Sequence, residues 1–413
     1  MATFTEQECE WCRRDFPSIG HELEGVPIAY FDGPAGTQVP QPVIDAVAGY
    51  YRTCNANTHG QFSTSRETDQ ILHETRETVA AFLGAPSWRE ISFGANMTTL
   101  CFALSRALAR AWQPGDEVVI TQLDHEANRG PWLALQERGI VVREVALRPD
   151  GTLDPEGMAQ AITPRTRLLA IGAASNALGT VNDLAAARRL TREVGAFLLV
   201  DAVHAAPHFP MHVETLDTDF LLCSAYKFYG PHVGILYSRP GLLDALATDR
   251  LSTQDAAAPF RIETGTQNHA ALAGVKAAIE YIASWGDGET LREQLVSAME
   301  AVMIRERELA RRYFEGVRAV RGVRVWGPGF DGGHRAPTVA ITVEGVPSPE
   351  VARRLGEQGI QVWDGHFYAA RAIESLGLAD RGGVVRSGMA MYVTSTEVDR
   401  LIAAVAEIAG NQM

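Results

Sequence analysis

Between about residue 90 and residue 240, short apolar runs alternate with amphipathic stretches. The runs are rich in Val, Leu, Ile and Phe, which is typical of strands buried on both faces. We predict strands at residues 117–121, 141–147, 168–173, 197–201, 220–224 and 234–237. Apolar residues recur with helical spacing at 99–112 and 183–194. Strands that alternate with helices indicate an α/β fold with a mostly parallel sheet.

The pattern changes after residue 288, where a long helical stretch begins (289–317). Short segments of both types follow: strands at 323–326, 338–343, 360–363 and 383–390, and helices at 349–358 and 395–408. This order predicts a second, smaller α+β domain. We therefore divide the chain into an N-terminal arm (1–25) that packs with the small domain, a large domain (26–288) and a small C-terminal domain (289–413).

Two of the predicted strands end in residues suited to the same chemistry. Asp201 closes the run at 197–201, and Lys227 follows the run at 220–224. In open α/β sheets, ligands bind beyond the carboxyl ends of strands, so both side chains are expected at one site. A lysine amine holds the aldehyde of pyridoxal 5′-phosphate (PLP) as a Schiff base, and a carboxylate keeps the ring nitrogen protonated. The two residues therefore favour a PLP enzyme.

The composition limits the alternatives. A chain of 413 residues is long enough for two domains, and its 46% hydrophobic and 21% charged residues are ordinary for a globular enzyme. A net charge of −13 argues against a nucleic-acid partner. The chain has no apolar run long enough to span a membrane, and its first residues lack the apolar stretch of a signal peptide. We expect a cytoplasmic enzyme that binds neither nucleic acid nor membrane.

Cysteine and histidine residues form no metal motif. The cysteines are few and odd in number, which suggests reduced thiols: Cys9, Cys12, Cys54, Cys101 and Cys223. His204, His208 and His212 recur every four residues, but Pro207 and Pro210 prevent the helix that would align them. We therefore predict no metal site. The G-x-G-x-x-G run at 327–332 precedes another strand, not a helix, so we interpret it as a loop.

Several short motifs surround Asp201 and Lys227 in a fixed order. They are Phe31-Asp32-Gly33-Pro34, Asn57-Thr58-His59-Gly60, Gly94-Ala95-Asn96-Met97-Thr98, Asp124-His125-Glu126, Ser175-Asn176-Ala177 and Gly265-Thr266-Gln267. With them, the chain resembles the class V aminotransferase family of PLP-dependent enzymes (fold type I) from about residue 30 to residue 401, and it is most similar to cysteine desulfurases and selenocysteine lyases. The resemblance implies a large domain with a mostly parallel seven-stranded sheet and a small α+β C-terminal domain.

The resemblance also implies how the cofactor is held. The turn before the helix at 99–112 would bind the phosphate through backbone N–H groups, helped by two hydroxyl groups. The residues concerned are Ala95, Asn96, Thr98, Ser224 and Tyr226. Thr266 of the partner subunit would reach the same phosphate, so a homodimer would share its active sites.

The remaining cofactor residues would surround the ring, as the resemblance implies. His125 would stack on one face, Asp201 would pair with the ring nitrogen, and Asn176 and His204 would hydrogen-bond near the phenolic oxygen. Lys227 would hold the cofactor and move the Cα proton of the substrate, since burial lowers the pKa of a lysine. His125, Asp201 and Lys227 are thus the expected catalytic residues.

The same resemblance implies an amino-acid substrate. Arg386 ends a predicted strand, and its planar guanidinium suits bidentate binding of the α-carboxylate. Asn57 and His59 are expected at the substrate. His366 and Tyr392 are expected to shape its pocket.

At one point the chain departs from the desulfurase pattern. Cysteine desulfurases carry a loop cysteine shortly before the arginine that matches Arg386, and this cysteine takes the substrate sulfur as a persulfide. Residues 360–391 contain no cysteine. Cys54 is the nearest candidate by motif, and the sequence does not decide whether it takes part. We therefore predict a PLP-dependent lyase that cleaves the C–S bond of cysteine or a cysteine S-conjugate by β-elimination, giving pyruvate and ammonia.

Other hypotheses stay open from the sequence. An aminotransferase, epimerase or decarboxylating oxidative deaminase of a biosynthetic pathway would use the same cofactor residues. A non-catalytic partner protein that keeps the fold is a further alternative, and the presence of both Asp201 and Lys227 argues against it.

Overall fold

A computed structural model describes residues 3–410, and a seven-stranded sheet lies at its centre. From one edge to the other, the strands are Ile91–Gly94, Gly234–Ser238, Phe220–Ser224, Phe197–Asp201, Thr166–Gly172, Glu117–Thr121 and Val141–Val145. Gly234–Ser238 is antiparallel to both of its neighbours, and the other pairs are parallel. The predicted mostly parallel sheet is confirmed, and the carboxyl ends of the remaining strands meet at one edge.

The strand Ile91–Gly94 was not expected from the sequence. It has only four residues, too few for a period to show, and its first three are fully buried. It forms because it pairs with Gly234–Ser238 at the edge of the sheet. The six strands that were predicted all form, and their ends differ from the predicted ends by at most two residues.

Helices cover both faces of this central sheet and bury its apolar side chains. They are Gln41–Thr53, Ser63–Leu83, Met97–Ala109, Gly130–Leu133, Pro155–Ala161, Leu184–Val194, Val213–Leu216, Leu242–Ala245 and His269–Ala283. Met97–Ala109 begins two residues earlier than predicted. Its start is fixed by Asn96, whose side-chain oxygen accepts a hydrogen bond from the Thr99 amide (2.9 Å).

The C-terminal part begins with the 28-residue helix Leu291–Arg318, which starts at a capping box formed by Thr290 and Glu293. It packs with a second, antiparallel sheet of four strands in the order Val323–Trp326, Thr338–Val343, Val384–Gly388 and Trp363–Gly365. Further helices are Ser348–Glu357, Ala370–Ser375 and Ser395–Gly410. Residues 327–332 form a loop, as predicted.

The single strand predicted at 360–363 is wrong. The structure splits it into Ile360–Gln361, which pairs in parallel with Ala29–Tyr30, and Trp363–Gly365, which pairs with Val384–Gly388. The chain changes partners at Val362, and no periodicity in the sequence reports such a change. Residues 29–30, which belong to the predicted large domain, thus pair with a strand of the C-terminal part. The predicted boundary between the large and small domains at residue 288 stays a prediction.

The N-terminal segment packs against the C-terminal part. Its helix Glu6–Arg13 forms ion pairs from Glu6 to Arg305 (2.6 Å) and from Arg13 to Glu397 (2.9 Å). A short hairpin of Glu22–Leu23 and Val26–Pro27 follows. Residues 1–2 of the predicted arm and 411–413 of the predicted small domain lie outside the described range. In residues 3–410, no helix combines the length and apolar character needed to cross a bilayer.

A buried ion pair fixes the edge strand Ile91–Gly94. Arg76 and Glu263 form two parallel hydrogen bonds of 2.8 Å, and both side chains are almost inaccessible. Glu263 also accepts a hydrogen bond from the Phe93 amide (2.6 Å), and Arg76 donates to the Ile91 carbonyl (2.6 Å). The pair therefore holds the strand that leads into the turn before Met97.

Replacing Glu263 with alanine is expected to destabilise the protein by about 3–5 kcal/mol, because it leaves the Arg76 charge buried without a partner. Urea unfolding of the full chain measures the change. The Asp399→Ala variant is a matched control, since it breaks an exposed pair with Arg312 that contributes about 1 kcal/mol or less. Equal destabilisation by the two substitutions would contradict the assignment.

Candidate active site

The carboxyl ends of the central strands surround a cavity. Asp201 ends one strand, and Lys227 follows the neighbouring strand in a short 3₁₀ turn, Ala225–Lys227. The predicted residues that line the cavity are Asn96, Thr98, His125, Asn176, Asp201, His204, Ser224, Tyr226 and Lys227. The structure thus brings together nearly all the residues expected to hold a cofactor.

Lys227 is buried, and its amine faces backbone carbonyls. Its Nζ donates hydrogen bonds to the Pro34 carbonyl and, over 3.1 Å, to the Ala35 carbonyl. Burial, together with the nearby Arg386 guanidinium, lowers the pKa of this amine to about 7, while Asp201 opposes the shift. A substantial fraction of the amine is therefore uncharged at neutral pH, as a nucleophile or base requires.

Two buried carboxyl groups lie at the cavity. Asp201 accepts a hydrogen bond from the Val203 amide (2.9 Å), and burial raises its pKa to about 6. Asp124, which was not assigned a role from the sequence, accepts from the Gly172 amide (2.6 Å), and burial raises its pKa to about 7. Its place at a strand end beside His125 was the available signal. A cation placed near either group would favour its ionised form.

His125 is held neutral in one tautomer. Its Nδ1 accepts a hydrogen bond from the Ala127 amide (3.0 Å), so the proton is assigned to Nε2. Burial lowers its pKa to about 4, and the positive charges of Lys227 and Arg386 add to this shift. The ring of Tyr368 lies 5.4 Å from the His125 ring.

His204 offers an unpaired atom to the cavity. Its Nε2 lies 3.0 Å from Thr338 Oγ1, while its buried Nδ1 has no partner in the protein. Burial lowers its pKa, so the ring is neutral. A buried polar atom without a partner indicates that a ligand supplies one.

The three histidines spaced by four residues do not converge. His208 packs against His204 and forms a 2.7 Å hydrogen bond with the buried Glu306, whereas His212 contacts Arg292. In the part of the chain that the structure describes, no three metal-ligating side chains come together.

The start of the helix Met97–Ala109 lies at the cavity. The Met97 amide donates to Ser224 Oγ (3.2 Å), whose own hydroxyl hydrogen stays available to a ligand. Gly234 permits this approach, because a Cβ there would lie 2.2 Å from the Asn96 carbonyl carbon. A helix N-terminus with a neighbouring hydroxyl suits an anion such as phosphate.

Ala95 and Thr266 lie elsewhere. Both line a neighbouring outer cavity together with Gly94, on the other side of the same turn. The expected contact of Ala95 with the phosphate, which would use its backbone N–H group, stays a prediction. Thr266 is exposed and does not reach this chain's own cavity.

Arg386 is a buried cation without a carboxylate partner. Its Nη1 donates to the Asn176 carbonyl (3.0 Å), and its Nε has no partner. Burial lowers its pKa to about 9, an effect that nearby Asp32 opposes. Asp32, also not assigned from the sequence, has its pKa raised to about 6 by burial. Among residues 3–410, no ion pair neutralises Arg386, which favours binding of an anionic group, although Arg386 is not one of the residues that line the cavity.

Four predicted substrate residues do not line the cavity. Asn57 and His59 are exposed, and His59 lies beside Asp69 at the surface. Tyr392 is buried in an aromatic cluster, and its hydroxyl accepts a hydrogen bond from the Gln38 amide, so its expected role at the substrate stays a prediction. His366 is exposed and accepts from the Tyr368 amide. These positions depend on packing that the motifs do not encode.

None of the cysteines faces the cavity. All are free and buried. Cys54 lies on another outer surface and hydrogen-bonds to the Tyr50 carbonyl. Burial raises the pKa of Cys9 to about 11 and of Cys12 to about 12, and it also raises the pKa values of Cys101 and Cys223. No thiolate is therefore poised beside Lys227.

Comparison with known proteins agrees with this arrangement. The model of the family described as aminotransferase class-V matches residues 29–401, and the chain belongs to that family. Its members are enzymes that use PLP. The resemblance seen in the motifs is confirmed, as is the fold type I architecture.

Several similar proteins are named cysteine desulfurases. A cysteine desulfurase of Serratia proteamaculans is 34% identical over 97% of this chain and 98% of its own length. Among solved structures, the cysteine desulfurase of Thermococcus onnurineus matches with a TM-score of 0.89 at 26% identity over the full length of both chains. The cysteine desulfurase CsdA of Escherichia coli matches with a TM-score of 0.85 at 28% identity, covering 98% of this chain and 99% of its own.

The lowered pKa of Lys227 predicts how the apoprotein takes up PLP. The uptake rate should rise as the pH passes through about 7 and then level off, because only the uncharged amine attacks an aldehyde. Stopped-flow absorbance after mixing apoprotein with PLP measures this rate. A rate that keeps rising towards the ordinary lysine pKa, near 10.5, would show that the amine is not desolvated.

Proposed function

We propose that this protein is a PLP-dependent lyase that cleaves the C–S bond of cysteine or an S-substituted cysteine by β-elimination. The observation that carries the proposal is a desolvated Lys227 amine in one cavity with Asp201, beside a buried Arg386 that lacks a carboxylate partner. The similarity to cysteine desulfurases over nearly the whole chain supports the same chemistry.

The cavity residues fit PLP. The Met97 helix start and the Ser224 hydroxyl would hold its phosphate. Asp201 would pair with the ring nitrogen, and the unpartnered His204 Nδ1 would meet the phenolic oxygen. His125, neutral and half-buried, would lie against the ring. When bound, PLP provides an aldehyde for a lysine amine and a ring that accepts electrons from the substrate Cα.

Lys227 would then act as the base. Its amine, when free, could take the Cα proton of the substrate, since its lowered pKa lies near neutrality. Arg386 would bind the α-carboxylate through its unoccupied Nε edge and so align the Cα–H bond. Asp32 would steady the positive charge of that guanidinium.

The fate of the sulfur follows from the cysteines. With no thiolate at the cavity, the departing sulfur has no protein acceptor and leaves as a free thiol, or as sulfide from cysteine itself. The C–S bond breaks with its electron pair on sulfur, which takes up a proton. Water then replaces nitrogen on the three-carbon remainder, which gives pyruvate and ammonia. This balance needs water and no oxidant.

We also propose a homodimer whose subunits share their active sites. His59 and Thr266 line one outer cavity together with Leu251, a residue 65% exposed, which suits an interface better than a surface in water. In such a dimer, Thr266 of the partner subunit would contact the phosphate, and Asn57 and His59 would approach the partner's substrate. The cytoplasmic location expected from the sequence is part of this proposal, and the free cysteines support it.

The Lys227→Ala variant is expected to lose the visible absorption of bound PLP and all turnover, because no other lysine among residues 3–410 lines the cavity. Arg386→Lys should lower kcat/KM by about 10- to 100-fold, since it loses one charge-assisted hydrogen bond. Assays of pyruvate and thiol released from cysteine and S-substituted cysteines measure both effects.

The control for this experiment is Cys54→Ser, which should keep full activity because the thiol lies away from the cavity. A loss of activity in Cys54→Ser with protein-bound persulfide would contradict elimination without an acceptor. Amino-group transfer to a keto acid, a racemised substrate or release of carbon dioxide would instead indicate the alternative reactions.

A mixed dimer tests whether Thr266 acts across subunits. Thr266→Glu should weaken phosphate binding by placing a negative charge beside it. Co-expression of Lys227→Ala and Thr266→Glu chains with different tags gives a heterodimer with one intact site only if Thr266 serves the partner. Such a heterodimer should recover about half of wild-type activity, whereas the Thr266→Glu homodimer should be impaired. No recovery in the heterodimer would show that Thr266 acts within its own chain, and a fully active Thr266→Glu homodimer would show that Thr266 has no role.

A further inference from the structure

The segment 365–368 lies beside the cavity, next to Asn176 and His125, and it contains no cysteine. It follows the strand Trp363–Gly365 and is tied to two loops that line the cavity. Asn176 Nδ2 donates to the Phe367 carbonyl (2.9 Å), and the Glu126 amide donates to the Tyr368 carbonyl (2.7 Å). The segment therefore adjoins the site, in agreement with the expectation from the sequence that His366 lies near the substrate pocket.

The backbone of this segment is unusual. Phe367 and Tyr368 have φ angles of +52° and +58°, in the left-handed region that bulky side chains rarely adopt. Two such residues in succession persist only where other contacts impose them, and here the hydrogen bonds from Asn176 and Glu126 do so. This conformation turns both aromatic rings towards groups of the site.

Phe367 contacts the expected carboxylate-binding residue on one face. The Arg386 Cζ lies 4.0 Å from the centre of the Phe367 ring. A guanidinium binds a carboxylate through the edge of its plane, so a ring stacked on its face leaves that edge free. The Arg386 Nη1 already donates to the Asn176 carbonyl, whereas its Nε has no partner in the protein. Phe367 thus fixes the plane of Arg386 without occupying its binding edge.

Tyr368 places a second ring beside His125, which lines the cavity. Its ring lies 5.4 Å from that of His125, and the side chain is 67% exposed. An exposed aromatic side chain at a cavity entrance offers apolar surface to a bound molecule. Free cysteine is too small to use such a surface, whereas a substituent on its sulfur would cover it.

We propose that Phe367 and Tyr368 form an aromatic wall that selects cysteines bearing an apolar group on sulfur over free cysteine. The proposal rests on the lyase function proposed above and names its substrate class. Tyr368 contacts the sulfur substituent, and Phe367 is a positioning residue that acts through Arg386. The reaction remains cleavage of the C–S bond, with the apolar thiol as leaving group.

Steady-state kinetics with S-benzylcysteine and cysteine test the role of Tyr368. Wild-type protein should show the higher kcat/KM for S-benzylcysteine, and Tyr368→Ala should lower the ratio of the two values by about 10-fold or more, while Tyr368→Phe restores it. Trp11→Ala is the control. It removes another exposed aromatic side chain, from the N-terminal helix Glu6–Arg13, and should leave the ratio of the two kcat/KM values unchanged.

Phe367 is tested by comparing each substrate with its carboxamide. Phe367→Ala should raise KM for the acid more than kcat falls, and should have little effect on the amide, because the amide does not use the charge of Arg386. Phe367→Tyr should behave as wild type. Equal losses for acid and amide would indicate a structural role and overturn the assignment.

Two outcomes separate this proposal from the lyase function. Cleavage of both substrates with a wild-type preference for cysteine would overturn the aromatic wall and leave the lyase function standing. A protein that binds PLP with its visible absorption but cleaves neither substrate would refute the lyase function itself.

Discussion

The burial of the Lys227 amine is the constraint on which the rest of the site depends. An amine removed from water and placed near the positive Arg386 loses its proton near neutrality, where an exposed lysine would stay charged. This requires a cavity closed by strand ends on one side and by residues 34–35 on the other. The seven-stranded sheet provides the strand ends, and the pairing of residues 29–30 with residues 360–361 helps to place residues 34–35.

The cavity holds several ionisable groups whose pKa values are shifted by burial. Asp201 and Asp124 have raised values, while His125 and Arg386 have lowered ones. Such shifts mark groups that gain stability when a ligand supplies the missing opposite charge or hydrogen bond. A phosphorylated, positively charged ring and a carboxylate would supply both. The site is therefore arranged for an occupant rather than for the stability of the empty protein.

The two sheets meet at this site, and neither one completes it. His204, which follows the central strand Phe197–Asp201, contacts Thr338 of the small sheet. Arg386 of the small sheet donates to the carbonyl of Asn176, which follows the central strand Thr166–Gly172. The segment that carries Phe367 joins the same boundary. Because groups from both sides must align, a change in packing between the sheets would alter cofactor and substrate contacts together.

Much of the fold and part of the site could be predicted from the sequence. Buried runs with Asp201 and Lys227 at their ends specify a parallel sheet and a PLP site, because strand direction and side-chain chemistry are local properties. Only the tertiary structure decided where Tyr392 lies and that Phe367 stacks on Arg386. It also decided that Arg386 has no carboxylate partner among residues 3–410. These depend on contacts between segments distant in the chain, whose register and direction no local periodicity records.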